Sequence, residues 1–297
     1  MKKDSDYKLI AHPKYGFLQI SPTPTSDEIT RFYANEFYSG EYKNFNDSSL
    51  EVQMEDREFL EGGWADIASH ITEILEKPLD GLSLLDVGCG WSQALLFFSN
   101  KGMDCYGFDP APEAINYGLS KGLKVKHAGM DRMDVFNGTK FDVVLLKNVL
   151  EHLANPVEVL SEIKNAVLRP GGLIVIDVPN ESNVFQTAGR DVHGLEDWWV
   201  APPGHLNYFS NDTLINLLED IGYEVKLSES SFPLEMFLLF GDCYVGNEAI
   251  GKQCHKKRVN FETNLRKLGH VDKLHKYYQA LAKLNLGRQV TVYAASR

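Results

Sequence analysis

Cysteine is scarce in this 297-residue chain. The four present, Cys89, Cys105, Cys243 and Cys254, show neither the paired spacing of a metal site nor the density of a disulfide scaffold. Reduced thiols in a cytoplasmic setting are the expectation, with no metal. Long apolar runs are missing as well. The longest, near Phe237–Phe240, falls far short of the roughly 20 residues a bilayer crossing needs, so no membrane partner is expected. Met1–Lys8 is almost wholly polar, unlike a secretory signal. Positive charge is also in short supply: 30 Lys and Arg against 41 Asp and Glu leave a net charge of −11. A nucleic-acid partner is therefore not expected, because phosphate neutralisation needs clustered cations. The shortage is uneven. Residues 251–297 hold 11 Lys/Arg and 2 Asp/Glu, so the first 250 residues carry a net −20.

A third glycine is the most informative absence. Ser83-Leu84-Leu85-Asp86-Val87-Gly88-Cys89-Gly90 is an apolar strand running into an acid and two glycines, followed by a helix-like stretch from Trp91 to Lys101. Glycine lets a ligand approach the backbone at such a turn, and helix N-terminal amides then face it. A dinucleotide turn needs Gly-x-Gly-x-x-Gly, yet Gln93 stands at the third position. Asp86 would repel a diphosphate; it suits a ligand with positive charge at that end, such as the ammonium of a methionyl group. Asp109 ends a second candidate strand, where an acid accepts from ribose hydroxyls. These two acids favour an adenosine attached to an amino acid. An NAD-dependent dehydrogenase is the weaker reading of the same turn.

Short apolar strands alternate with helical stretches from Leu82 onward, the pattern of a doubly wound α/β sheet. Strands are predicted at 82–87, 103–108, 123–127, 141–146 and 172–178, then at Tyr223–Leu227 and Gln289–Ala295. That makes a mostly parallel seven-stranded, Rossmann-like sheet, with a helix at Asn211–Ile221 stopped by Gly222. The predicted organisation is an N-terminal helical and aromatic segment (1–80), a core (81–228 and 288–297) with a loop insertion at 180–209, and a basic helical insertion at 229–287. Ser26-Asp27-Glu28 marks a helix start, and 50–77 a helix broken at Gly62-Gly63. In the later insertion Phe261, Leu265, Leu268, Val271, Leu274, Tyr278 and Leu281 fall at helical spacing and are expected to pack inward.

Taken together, four segments resemble class I S-adenosylmethionine-dependent methyltransferases. Leu84–Gly90 resembles the cofactor loop, Tyr106–Ile115 the ribose-acid segment, Phe141–Leu153 the fourth strand with the helix after it, and Leu168–Ile176 the turn and strand that follow. The resemblance covers roughly residues 82 to 180. It implies S-adenosyl-L-methionine as cofactor, held by Asp86, Gly88, Cys89, Gly90, Asp109, Pro110, Lys147 and Asn148. The family commonly places an acid after a glycine to meet the adenine amino group; here Met130 follows Gly129 and Asp131 comes one later. Met130 is read as packing on the adenine face and Asp131 as supplying the acceptor. Gly16–Tyr42 also resembles the N-terminal segment of some sugar methyltransferases, without the zinc-binding cysteines that precede it there.

Methyl transfer from a sulfonium is an in-line displacement in which the protein aligns the reactants and excludes water. A hydroxyl acceptor must also lose its proton, so the candidate bases are His205, His152 and His193. His205 lies in the loop Pro202-Pro203-Gly204-His205 and reads equally as a histidine bonded to local backbone. Orienting the loop is the alternative for His152, and a surface position for His193. Trp198 and Trp199 could wall an acceptor site or simply pack. Lys256-Lys257-Arg258 could hold an anionic acceptor or be a solvated face. The reading is an enzyme that methylates an oxygen, less readily a nitrogen, of a small molecule such as a sugar or nucleotide sugar. A non-catalytic cofactor-binding partner protein is the remaining alternative.

Overall fold

Alternation of apolar strands with amphipathic helices sets the element order. In a computed structural model that describes residues 7–32 and 49–297, the chain opens with β1 (Lys8–Ala11), β2 (Leu18–Ser21), α1 (Ser26–Phe32), α2 (Leu50–Glu55) and α3 (Arg57–Leu75). The alternating run follows: β3 (Ser83–Val87), α4 (Gln93–Ser99), β4 (Asp104–Asp109), α5 (Pro112–Ser120), β5 (Lys124–His127), β6 (Phe141–Lys147), α6 (Pro156–Glu162) and β7 (Leu168–Pro179). Next come α7 (Val184–His193), β8 (Asn207–Tyr208), α8 (Asn211–Asp220), β9 (Tyr223–Ser230) and α9 (Met236–Leu239). The chain closes with α10 (Glu248–Lys267), α11 (Val271–Lys283) and β10 (Gln289–Ser296). All seven strands predicted for the large sheet are present. The aromatic residues of the predicted N-terminal segment at Tyr33, Phe37, Tyr38, Tyr42 and Phe45 lie outside the described residues.

The chain divides into two compact units. The larger comprises 24–176, 218–226 and 293–297. It holds the whole of β3, β4, β5 and β6 of a mostly parallel seven-stranded sheet whose order is β5-β4-β3-β6-β7-β10-β9. Leu84, Leu85 and Val87 of β3 are buried, as expected for a strand covered on both faces. Parallel register sets Asp86 beside Gly107 of β4 and Leu145 of β6.

A polar network holds the opposite end of these strands. Asp142 Oδ2 accepts from the Ser83 amide at 2.9 Å, the Ser83 hydroxyl at 2.8 Å and Arg169 Nη1 at 2.8 Å. Burial pushes the Asp142 carboxyl up, but the Ser83 bonds and Arg169 outweigh it, and its pKa lies below the ordinary value. The stability this carboxylate contributes is present above the unfolded-state pKa near 4 and is lost as pH falls through the lower folded value. Asp142→Ala is expected to cost about 1–3 kcal/mol by leaving the Ser83 donors unmet. Urea denaturation at pH 7 measures it, and the difference from wild type should shrink below pH 4.

Two expectations need correction here. The helix runs unbroken through Gly62-Gly63 as α3, and the interruption falls at Asp56, between α2 and α3. Buried Trp64, Ile67, Ala68 and Ile71 give α3 an apolar face whose packing outweighs the glycines' modest propensity cost. The helix expected from Trp91 begins at Gln93, because Gly90 (φ 45°) and Ser92 (φ 56°) are left-handed. The helix predicted near Ser26 does form. Its cap is Thr25, whose amide and hydroxyl both donate to Glu28 Oε2 at 2.9 Å.

The smaller unit comprises 1–23, 177–217 and 227–292. It contains an antiparallel sheet in the order β1-β2-β8. α7 starts in a capping box, with Asn183 accepting from the Phe185 and Gln186 amides and Gln186 returning to the Asn183 amide. Gly189 lets α7 approach α9: a Cβ there would lie 2.8 Å from a Leu238 methyl. Within the insertion Leu274, Tyr278 and Leu281 are buried, with Leu265 packed against them. Leu268, expected inside, is 70 % exposed beyond the end of α10, and Phe261 is partly exposed. Helical spacing extended past the helix that carried it.

Candidate functional site

The turn after β3 is tied to the end of β4 by backbone. The amides of Gly88 and Cys89 both donate to the Phe108 carbonyl, at 2.9 and 3.1 Å. Gly88 is left-handed at φ 69°, and a Cβ there would lie 2.6 Å from a Val149 methyl, with the Met130 sulfur at 3.5 Å. Glycine is needed at that position for both conformation and space. Gly90 is different: at φ 45° its missing Cβ would find nothing within 4 Å. The turn is packed at its first glycine and open at its second.

Two buried carboxylates flank this opening. Asp109 accepts the Gly90 amide on Oδ2 at 2.9 Å and the Ala111 amide on Oδ1 at 2.8 Å. It therefore holds the glycine turn and the start of α5 in one geometry, a role that the motif alone did not disclose. Each oxygen retains a second lone pair for a ligand hydroxyl. Burial raises the Asp109 pKa to about 6, against the pull of the Ala111 and Gly90 amides. Burial, then the charge of Asp109, raises Asp86 further, to about 8, with Lys147 opposing. Most Asp86 in the free protein is thus protonated at neutral pH. At Asp86 burial outweighs the pull of Lys147; a cationic ligand would draw the charge back.

The other candidate cofactor residues in this unit lie at or just after the ends of β3, β4, β5 and β6. Pro110 follows Asp109, and its carbonyl lies 2.9 Å from His127 Nε2. Cys89 is buried, and burial with Asp86 and Asp109 raises its thiol well above the ordinary value. It stays a neutral packing group. Met130 is buried and Asp131 half-buried. Lys147 ends β6, and Asn148 follows in the left-handed region at φ 54°. His152 is buried in a single turn of 3-10 helix, Leu150–His152, with Nε2 3.7 Å from Glu151 Oε1.

This acceptor-rich edge fits the ammonium and ribose of an adenosyl amino acid better than a diphosphate. Residues 54–227 match the family model described as "Methyltransferase domain". The chain belongs to the class I S-adenosylmethionine-dependent methyltransferases. Its methyl donor is S-adenosyl-L-methionine, and it is an enzyme of that class. Among its relatives is a ubiquinone biosynthesis O-methyltransferase of Cereibacter sphaeroides, 34% identical over 170 residues, which are 53% of this chain and 67% of that protein. A ubiquinone biosynthesis O-methyltransferase of Ruegeria pomeroyi is 30% identical over 50% of this chain and 62% of its own length. The chain thus spans about two thirds or less of these relatives. The fold is shared with the crystal structure of a magnesium protoporphyrin IX methyltransferase from Synechocystis PCC 6803 with bound S-adenosylhomocysteine. That match has a TM-score of 0.55 at 12% identity and covers 92% of this chain and 100% of that one. A methyltransferase from Archaeoglobus fulgidus matches at TM-score 0.50 and 17% identity, covering 83% and 100%.

The methyltransferase's two remaining candidate bases belong to the smaller unit. His205 is buried; its amide donates to the Ala201 carbonyl at 2.9 Å, and its own carbonyl accepts the Tyr208 hydroxyl at 3.1 Å. That hydroxyl accepts the Ala201 amide at 3.1 Å, so Tyr208 closes the loop around His205. His193 Nε2 lies 2.8 Å from the Leu238 carbonyl. A carbonyl only accepts, so this nitrogen carries a proton, and the ring fastens α7 to α9. Trp199 is buried, with Trp198 edge-on at 4.8 Å and Arg190 over its ring at 6.0 Å. Lys257 pairs with Asp242 at 2.7 Å, and Lys256 is exposed. Among the described residues, no helix is long and apolar enough to cross a membrane.

Proposed function

We propose that this methyltransferase transfers its methyl group to an oxygen of a small molecule, with a sugar or nucleotide sugar as the acceptor class. The oxygen is supported by the O-methyltransferases among its relatives. The sugar rests on the resemblance of Gly16–Tyr42 to sugar methyltransferases. The observation that carries the donor half is the pair of buried acids at the ends of adjacent strands, Asp86 and Asp109, beside the open turn at Gly90.

S-adenosylmethionine supplies a methyl group on a cationic sulfur, already activated for displacement. In this reading Asp86 meets the ammonium, Asp109 the ribose hydroxyls, and the backbone of Gly88, Cys89 and Gly90 forms the floor. Pro110, Lys147 and Asn148 border that floor, and Met130 and Asp131 serve the adenine. The protein's remaining work is to orient the acceptor hydroxyl and take its proton. His205 is the assigned base and His152 the alternative. His193 is left as an anchor, because its Nε2 proton is engaged by Leu238.

His205→Ala is expected to lower kcat by roughly 100-fold while leaving S-adenosylhomocysteine affinity unchanged. Steady-state kinetics beside calorimetric titration separates the two. The acceptor is tested with labelled donor and a panel of nucleotide sugars, free sugars and uncharged phenols. Label on a sugar oxygen supports the reading. Transfer only to uncharged aromatics removes the sugar class and keeps the oxygen. Transfer only to amines removes both.

A further inference from the structure

The smaller unit holds a polar cavity that the methyl-transfer reading leaves unused. Its volume is about 260 Å³, and its lining includes Asn180, Glu181, Ser182, Val184, Ser210 and Asn285. Three segments meet there: the end of β7 with the turn after it, the start of α8, and the turn before β10. Backbone bonds join them, with the Asn180 amide donating to the Arg288 carbonyl at 3.0 Å and the Glu181 amide to the Phe209 carbonyl at 2.9 Å. Ser182 (φ 60°) and Asn285 (φ 53°) are both left-handed.

The hydrogen-bonding capacity around this cavity is one-sided. Asn180 Nδ2 is engaged by the Asn285 and Gly287 carbonyls, and Asn183 Nδ2 by those of Asn180 and Gly287. Gln186 Nε2 donates to Glu181 Oε2 at 2.8 Å, and Asn285 Nδ2 to Asp212. The nearby amide groups thus spend their donors on protein acceptors. What is left over accepts, apart from the Ser182 hydroxyl, which can act either way. Among the described residues, Asn180 Oδ1 and Glu181 Oε1 are buried with no hydrogen-bond partner, and so is Glu235 Oε2 behind them. These residues are 1 %, 5 % and 0 % exposed.

Charge leans the same way. Arg288 Nη1 lies 3.2 Å from Glu235 Oε1 and 3.9 Å from Glu181 Oε2, so one guanidinium faces two carboxylates. Burial raises the Glu181 pKa, with Arg288 opposing. A neutral diol would bring acceptors that find few donors here, and an anion would meet Glu181. An ammonium brings donors alone.

We propose that this cavity is a binding site for a small organic cation carrying ammonium groups, with Glu181 Oε1 and Asn180 Oδ1 as its acceptors. About 260 Å³ corresponds to roughly nine water volumes, room for a diamine of about six heavy atoms. The site stands independently of the acceptor assignment above, and its test uses no methyl donor.

Calorimetric titration of the full chain with 1,4-diaminobutane in 150 mM NaCl, where exposed charges are screened over about 8 Å, is the experiment. 1,4-Butanediol and succinate serve as controls of similar length. Expected is binding with a dissociation constant of about 1 mM or tighter for the diamine and at least tenfold weaker binding for both controls. Glu181→Gln should weaken the diamine at least tenfold. Val184→Trp provides a second variant that fills the rim from a residue 60 % exposed, so it decides the matter should Glu181→Gln fail to fold. The proposal is overturned by an absence of diamine binding, by equal binding of the diol, or by binding that survives in a folded variant.

Discussion

Asp109→Ala should unfold about 2–4 kcal/mol more easily than wild type and lose S-adenosylhomocysteine binding by roughly 100-fold or more. Two effects add. The carboxylate serves the amides of Gly90 and Ala111 from its two oxygens, and each donor left unmet in a buried site costs about 1–3 kcal/mol. The turn at Gly90 then loses its bond to the end of β4, and in the proposed site the ribose loses its acceptor. A structural role alone would lower stability and leave the affinity of the folded fraction intact. Urea denaturation and calorimetry on the same sample separate the roles. Asp109→Asn, which keeps one acceptor oxygen, should fall between on both scales.

Asp86→Asn should separate stability from function. In the free protein the Asp86 pKa is raised to about 8 from an ordinary value of 3.8. Between these values the folded state holds a proton that the unfolded state has released, so stability falls as pH rises from about 4 to 8. Asparagine removes that penalty. The variant should be at least as stable as wild type at pH 8, with a flatter dependence of stability on pH. Its affinity for S-adenosylhomocysteine should nonetheless drop by about 100-fold, since a buried partner for the ammonium is gone. In wild type the cationic ligand binds the ionised form, so affinity should climb from pH 6 to 8. It should level off where the ligand's own amine, with a pKa near 8, begins to lose its charge. Thermal denaturation and titration at four pH values measure both trends. Loss of stability in Asp86→Asn at pH 8 would contradict the account.

The strand-and-turn arrangement that carries the proposed cofactor edge was legible because its parts are local. An apolar strand, an acid and two glycines sit within Ser83–Gly90, and Asp109 ends the adjacent strand at a spacing one βα unit allows. The role of Asp109 toward the turn was not legible, since nothing in the motif says that an acid ending β4 also holds the Gly90 amide. Local propensity misjudged α3, where four buried apolar residues outweighed two glycines. Periodicity likewise ran past the end of α10 to Leu268. The charge cluster that Glu181 of the cavity shares with Glu235 and Arg288 is brought together from three distant stretches. Even there a signal existed. Glu181 follows the end of β7 much as Asp109 ends β4, an acid closing an apolar strand in both.

The central claim is that Asp86 and Asp109 together hold an adenosyl amino acid at the turn of β3. Calorimetric titration of the wild-type chain with S-adenosylhomocysteine at pH 7, repeated in buffers of different ionisation enthalpy, tests it most directly. One site per chain, release of a proton on binding and no uptake of NAD are the predicted result. Absence of binding by folded protein, or binding with no proton released, would contradict it.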